Sequence, residues 1–153
     1  MATYTAHDTS RSARIIAGLG GARVLRDASL DSPSAIVRMI RQGLPVDSAD
    51  YAREHLGLSH RVFDRVLPRT TLMSARKSKS RTLSKSVSES LFRLARLTAI
   101  AEEAFGDKSR ARQWLVTPNP VFDDEAPAAL ADTEVGADWA EAVLMRMMYG
   151  VDA

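Results

Sequence analysis

The sequence contains no cysteine among its 153 residues. Disulfide bonds, thiolate nucleophiles and cysteine-ligated zinc or iron–sulfur sites are therefore excluded. A chain without cysteine is compatible with a reducing compartment. The sequence also lacks an apolar run long enough to cross a bilayer, and its polar start has no secretory signal core. These absences predict a cytoplasmic protein with no membrane partner.

Histidine is scarce, which limits catalytic and metal chemistry. The three histidines are His7, His55 and His60, and their spacing matches no pair of ligands on one helix face. Gly18-Leu19-Gly20-Gly21 lacks both the preceding strand and the Lys-Ser/Thr of a phosphate-binding loop. Asp123-Asp124-Glu125 is more typical of a solvated turn than of a cation site. The sequence therefore predicts a non-enzymatic protein without cofactor or metal.

What the sequence does have is a marked separation of charge. Its 45% hydrophobic and 26% charged content is typical of a folded globular protein. Residues 1–112 carry 20 Lys/Arg against 11 Asp/Glu, whereas residues 113–153 carry one basic and eight acidic side chains. Residues 61–96 alone hold ten basic and two acidic side chains. Such separation favours an anionic partner for the first part and a different partner for the second.

Apolar spacing and capping residues predict an all-α chain, because apolar side chains recur every three or four residues and do not alternate as in a strand. Ser32-Pro33 begins a helix that Gly43-Leu44-Pro45 ends. The longest helix has Ser84 or Ser86 as its N-cap and closes at Gly106. Before these helices, residues 1–32 are predicted to form a mobile arm with a short helix near 23–28. The predicted helices lie at about 33–42, 48–56, 59–67, 69–78, 84–105, 107–115, 126–130 and 133–149.

The helices at 48–56, 59–67 and 69–78 are short and joined by tight turns, which is the spacing of a helix-turn-helix. Helix 69–78 would enter the major groove, with Arg69 and Thr70 or Thr71 near the base edges. Further basic side chains would neutralise phosphates: Arg76, Lys77, Lys79, Arg81 and Lys85. A small basic bundle with no nucleic-acid partner is the alternative interpretation of the same charge.

The last predicted helix carries large apolar residues on more than one face. One stripe at helical spacing is formed by Ala140, Val143, Leu144 and Met147. A second set falls outside this stripe: Trp139, Met145, Met148 and Tyr149. Because aromatic and methionine side chains are common in protein interfaces, contact with a partner is favoured over burial for Trp139 and its neighbours.

Two ordered sets of short motifs run along residues 33–153. The first set is Gly43-Leu44-Pro45, Arg69-Thr70-Thr71-Leu72, Leu83-Ser84, Arg93-Leu94-Ala95-Arg96 and Ala104-Phe105-Gly106-Asp107. The second set is Trp114-Leu115-x-x-Pro118-Asn119-Pro120, Pro127, Asp132-Thr133-x-x-Gly136 and Arg146-x-x-Tyr149-Gly150-Val151. In this order they resemble the Xre/MbcA/ParS-like antitoxins. The resemblance implies an Xre-like helix-turn-helix domain over 33–106 and a toxin-binding domain over 107–153.

The resemblance further implies a type II antitoxin that blocks a RES-domain toxin, an enzyme that consumes NAD. Such antitoxins repress their own operon, usually as homodimers within a complex with the toxin, and their C-terminal part covers the toxin's NAD pocket. Thr133 and Gly136 are interpreted as residues for helix start and packing. Motif positions and neighbouring side chains of the last helix make up the predicted toxin-binding set: Trp114, Pro118, Asn119, Pro120, Trp139, Met148, Tyr149, Gly150, Val151, Asp152 and Ala153.

Three departures from the family's pattern affect the expected contacts with the toxin more than the resemblance to antitoxins. Phe122-Asp123-Asp124-Glu125 stands where the family usually has Leu-Gly-Gly-Arg, Ser90 replaces a frequent arginine, and Asp152 replaces a frequent aromatic residue. The alternative function is a free-standing helix-turn-helix transcriptional regulator. Its C-terminal half would then dimerise or sense a ligand.

Overall fold

A computed structural model describes residues 6–26 and 32–150 of the chain. Over these ranges the prediction of an all-helical chain is confirmed, and extended pairing is limited to two isolated bridges. The helices are α1 (Ala6–Gly18), α2 (Gly21–Leu25), α3 (Pro33–Gln42), α4 (Val46–His55), α5 (His60–Val66), α6 (Arg69–Lys77), α7 (Lys85–Phe105), α8 (Lys108–Val116), two 3-10 helices (Pro120–Phe122 and Pro127–Asp132) and α9 (Glu134–Tyr149). Within the same ranges, every helix is too short or too polar to cross a membrane.

Most helices begin at the capping residues that the sequence identifies. Ser32, Ser59 and Asp107 each accept a hydrogen bond from a backbone amide in the first turn of α3, α5 and α8. Of the two candidates for α7, the earlier one is the cap, since Ser84 Oγ accepts from the Val87 amide at 3.2 Å. Local capping chemistry therefore sets these helix starts.

The prediction of a mobile arm over residues 1–32 is wrong for the part of that range that the structure describes. α1 and α2 pack against the rest of the molecule, with Ile15 and Leu19 buried. Ser48, itself fully buried, donates from Oγ to the Leu19 carbonyl at 2.6 Å. Residues 6–14 of α1 include no large apolar side chain, so packing on α4 and α7 stabilises the helices more than their own sequence does. The short helix predicted near 23–28 is α2, and positions 27–28 lie outside the described residues.

One continuous hydrophobic core runs through the described residues, with α7 at its centre. Helix α7 contacts α1, α3 and α5 from the N-terminal part, and it contacts α8, α9 and the Pro127–Asp132 helix from the C-terminal part. Its buried side chains include Leu91, Leu94, Leu97 and Ile100, and burial of each contributes about 1.5–3 kcal/mol. The predicted domain boundary falls at the end of α7. Because α7 packs against helices of both halves, the two halves share one hydrophobic core.

The turn between α3 and α4 is bonded to the segment that leads into α7. The Leu44 amide donates to the buried Ser88 Oγ at 2.8 Å, and the Leu83 amide donates to the Leu44 carbonyl at 2.8 Å. Gly43 has φ +94°, and a Cβ there would lie 2.2 Å from the Leu83 carbonyl oxygen. Only glycine allows the backbone at 43 to come this close to Leu83. The contact holds together the segments that precede α4 and follow α6.

Candidate functional site

The predicted helix-turn-helix is present as α5 and α6, separated by Leu67 and Pro68. Helix α5 is anchored by Val62, Phe63 and Val66, which are buried. Helix α6 has a single buried side chain, Leu72. Since most of the surface of α6 is exposed, this helix has the geometry of one that enters a DNA groove.

The side chains predicted to meet base edges lie in the first turn of α6. Arg69 and Thr70 are exposed, and Thr71 is half-buried. Both threonines line a cleft of about 490 Å³ between α6 and the segment that leads into α7. The other hydroxyl side chains of this cleft are Ser74, Ser78, Thr82 and Ser84. Hydroxyl groups suit either phosphate oxygens or base edges, so the cleft extends the candidate DNA surface beyond the predicted residues.

The predicted phosphate-binding side chains differ in their surroundings. Lys77, Lys79 and Lys85 are exposed and form no ion pair in the described part of the chain. Each arginine of residues 69–85 contacts a carboxylate: Arg69 with Asp64 at 3.2 Å, Arg76 with Asp50, and Arg81 with Asp47 at 3.5 Å. Part of the positive charge predicted for this surface is therefore compensated within the protein.

In the C-terminal half, four aromatic side chains form a row. From Phe105 to Trp114, Phe122 and Trp139, successive ring centroids lie 5.9, 5.8 and 5.1 Å apart. Phe122 is fully buried and meets both tryptophans edge-on, a favourable aromatic geometry. For Trp139 the sequence favours contact with a partner over burial. Its ring packs on Phe122 and is still 38% exposed.

Four predicted toxin-binding residues meet at one apolar pocket of about 430 Å³. They are Trp114, Pro118, Asn119 and Pro120. The rest of the lining is Phe105, Arg110, Gln113 and Thr117. Asn119 also has a structural task, because its Oδ1 accepts from the Val121 amide at 3.0 Å and caps the 3-10 helix. The structure thus brings these motif residues together around a depression that is apolar except at its rim.

Helix α9 buries most of the predicted stripe, since Ala140 and Leu144 are buried and Val143 packs against the core. Met147, predicted in the stripe, is 49% exposed, whereas Met148, predicted outside it, packs against the core. The buried line is Ala137, Ala140 and Leu144. Small alanines let α9 approach α7 and the Pro127–Asp132 helix closely, so the helix turns these residues inward. Three large side chains share its outer face: Val135, Trp139 and Tyr149.

Thr133 and Gly136 have the structural roles that the sequence predicts. Thr133 Oγ1 accepts from the Gly136 amide at 2.9 Å and caps α9. A Cβ on Gly136 would lie 2.3 Å from the Leu130 carbonyl oxygen. The motif therefore sets both the start of α9 and its distance from the preceding 3-10 helix.

Gly150 ends α9 with φ +89°, and the predicted contacts at 151–153 lie outside the described residues. Sequence reasoning missed two features of these surfaces. Asp47 and Asp50 face the arginines near α6, and their spacing of three on a helix could have indicated a shared face. Arg110 at the pocket rim had no sequence signal beyond its charge.

Across residues 6–26 and 32–150, no cluster of acidic and histidine side chains could hold a metal ion.

Comparison with known proteins gives matches to both halves. The model of the antitoxin Xre-like helix-turn-helix domain matches residues 35–96, which include α5 and α6. The model of the antitoxin Xre/MbcA/ParS C-terminal toxin-binding domain matches residues 101–150, which include the aromatic row, the pocket and α9. The antitoxin Xre of Pseudomonas putida is 33% identical over 87 residues, which are 57% of this chain and 54% of that protein. The match therefore spans about half the length of this relative.

Proposed function

Since the chain belongs to the Xre/MbcA/ParS antitoxins, we propose that it is the antitoxin of a type II toxin–antitoxin pair. Its partner is a RES-domain toxin that consumes NAD. The C-terminal half blocks this toxin by covering its NAD pocket, and the N-terminal half represses the operon by binding DNA. The chain works as a homodimer within a complex with the toxin, and it catalyses no reaction itself.

The observation that supports toxin binding most directly is the pocket formed by the motif residues. Trp114, Pro118, Asn119 and Pro120 line it together, within the residues matched by the toxin-binding model. A preformed apolar depression with a basic rim residue, Arg110, suits a protruding apolar side chain of the toxin with an acidic neighbour.

The outer face of α9 extends this surface. Val135 is 79% exposed and Tyr149 is 62% exposed, and Trp139 lies on the same face. Through Phe122, the Trp139 ring is in contact with the aromatic row that reaches the pocket. Large exposed apolar side chains grouped in this way are typical of a surface that a partner covers.

We assign the blocking role to residues 150–153. A helix that docks through Trp139 directs the residues that follow Tyr149 beyond the contact, where they can occupy a pocket of the partner. The assignment of that pocket as the NAD site comes from the family resemblance. Val151, Asp152 and Ala153 are then toxin contacts, while Gly150 allows the chain to leave the helix at φ +89°.

DNA binding is supported by the exposed face of α6 and by nearby lysines that form no ion pair with another described residue. Arg69, Thr70 and Thr71 lie where base edges are met in a helix-turn-helix. Lys77, Lys79 and Lys85 are free to neutralise phosphates. Repression follows if this surface covers the promoter of the chain's own operon.

Co-expression with the proposed RES-domain toxin tests the pairing. We expect a stable complex on size exclusion and restored growth of cells that carry the toxin. A gel shift with the chain's own promoter region tests repression separately. Promoter binding without toxin binding or protection would favour the free-standing regulator, and protection without promoter binding would remove only the repressor role.

A further inference from the structure

The basic side chains around α6 divide into two kinds, and the division follows residue type. Lys77, Lys79 and Lys85 are exposed and unpaired within the described part of the chain. Arg76 and Arg81 are each in contact with a carboxylate of α4. The lysines therefore present their full charge to an anionic ligand, whereas the arginines do not.

The two carboxylates belong to one face of α4. Asp47 and Asp50 lie three residues apart on this helix, so they project from the same side. Asp50 contacts Arg76 at the end of α6, and Asp47 lies 3.5 Å from Arg81 just beyond it. These four side chains are between 39% and 53% exposed. Solvent, and therefore a DNA phosphate, can reach both arginines.

Ion pairs with this exposure contribute little to folding, because solvent screens them and ordering two long side chains opposes them. Their position has a larger consequence for DNA. Guanidinium groups bind phosphate oxygens strongly, through paired hydrogen bonds. A DNA phosphate would therefore take the place of the aspartate carboxylate, which is also negative. Each carboxylate thus compensates the charge of an arginine that a phosphate can reach, and competes with the phosphate for its N–H donors.

On the basis of the proposed DNA binding, we propose that Asp47 and Asp50 compete with DNA phosphates for Arg81 and Arg76 and thereby determine sequence specificity. Non-specific affinity depends almost entirely on the positive charge that reaches the DNA backbone. Operator affinity also includes base contacts, which come from the first turn of α6. Base contacts fix the position of α6 on the operator, whereas a non-specific complex can take whichever position brings both arginines closest to phosphates. The two arginines therefore contribute more to non-specific than to operator affinity, and compensating their charge raises the ratio of operator to non-specific affinity.

Two neighbouring carboxylates serve as comparisons. Asp64 contacts Arg69, yet it also binds Arg53 through hydrogen bonds of 3.1 and 3.3 Å, so its replacement would disturb the packing of α4 on α5. Glu54 is the matched control. It lies four residues after Asp50 on the same side of α4, is exposed, and forms no ion pair in the described ranges.

The test measures the affinity of Asp50→Asn, Asp47→Asn and Glu54→Gln variants of the full chain for two duplexes. One duplex carries the chain's own promoter region, and the other is a scrambled sequence of the same length. Asparagine keeps an oxygen that can accept from the arginine, so the variant removes charge compensation and leaves a hydrogen-bonding partner. Each Asp→Asn change should raise affinity for the scrambled duplex on the order of fivefold at about 0.1 M salt and steepen the salt slope by about one.

Promoter affinity should rise by a smaller factor in these variants, and Glu54→Gln should change both affinities much less. Equal effects of Asp50→Asn and Glu54→Gln would overturn the proposal, because net charge alone would then explain the result. Weaker promoter binding by Asp50→Asn would overturn it too, and would make Asp50 a positioning residue for Arg76.

Arg76→Gln provides a second test that does not depend on the fold of one variant. It should weaken scrambled-duplex binding strongly in the Asp50→Asn background and only slightly in the unchanged chain. Equal losses in the two backgrounds would contradict the competition. If the unchanged chain binds neither duplex, the proposed DNA binding itself fails, and the competition fails with it.

Discussion

Arg93, on α7, donates from Nε to the main-chain carbonyl of Ala131 at 3.1 Å. Another nitrogen of the same guanidinium donates to the Asp132 carbonyl at 3.3 Å and to Ser90 Oγ at 3.0 Å. The side chain is only 10% exposed, and Glu134 lies 3.6 Å away. Both carbonyls end the 3-10 helix that precedes α9. One buried arginine therefore connects the central helix to the start of the C-terminal one.

Arg93→Met should lower the free energy of unfolding by about 2 kcal/mol or more, because the buried carbonyl of Ala131 and the partly buried carbonyl of Asp132 lose a charged donor. Urea unfolding followed by circular dichroism measures this loss. Arg146→Met is the matched control, since Arg146 is exposed and, among the residues that the structure describes, bonds only to the Ala142 carbonyl of its own helix, at 3.4 Å. Equal midpoints for both variants would contradict a connecting role for Arg93.

Gly136→Ala tests the close approach of α9 by the sign of its effect. Helix propensity alone predicts that alanine stabilises α9 by up to about 1 kcal/mol. The Leu130 carbonyl oxygen, 2.3 Å from the added Cβ, predicts a loss of about 1–3 kcal/mol instead. We expect a loss in thermal unfolding, and no comparable change for the exposed neighbour in Val135→Ala. A stabilised Gly136→Ala variant would contradict the packing described for this motif.

Replacing Lys77, Lys79 and Lys85 by alanine should weaken binding to the promoter and flatten its dependence on salt. Each lost phosphate contact lowers the slope of log affinity against log salt by about 0.9. Fluorescence anisotropy at several salt concentrations gives this slope, and Lys108→Ala, a change on α8, should leave it unchanged. Arg69→Ala should instead relax sequence preference. A slope unaffected by all three lysine changes would exclude α6 and its surroundings as the DNA surface.

Trp139→Ala should weaken toxin binding by about 2 kcal/mol or more, as central aromatic anchors usually do. Because the ring also packs on Phe122, circular dichroism must show that the fold is kept, and Trp139→Phe should preserve much of that contact. Calorimetric titration with the purified toxin measures the affinity. Val37→Ala removes an exposed apolar side chain of α3 and should have no effect. Toxin binding that survives Trp139→Ala in a folded variant would place the interface elsewhere.

Helices could be predicted from the sequence wherever the determining interactions are local. Ser32, Ser59 and Thr133 cap the helices that they were expected to cap, since a capping bond joins residues three apart. Helix α1 was missed because its stability comes from packing on α7, which contacts a distant part of the sequence. The charge boundary near residue 112 likewise suggested separable halves, whereas the core is continuous through α7.

Residue types at the candidate site were predictable, but their partners were not. The contact of Arg76 with Asp50 depends on how α4 crosses α6, which no local pattern encodes. The orientation of α9 depended on which neighbours it meets, so Met147 and Met148 were assigned to the wrong sides. The pocket around Trp114 depends on how residues 117–120 lie beside α8 and the end of α7. Tertiary contacts decide each of these features.

NAD turnover by the proposed partner, a RES-domain toxin, tests the antitoxin assignment most directly. It is measured for the toxin alone, with an equimolar amount of the full chain, and with the chain lacking residues 150–153. The account predicts that the full chain stops turnover, and that the shortened chain still binds the toxin while turnover returns. If the shortened chain still suppressed NAD turnover, the inhibiting residues would lie in the C-terminal half before residue 150. Undiminished turnover in the presence of the full chain would contradict the account.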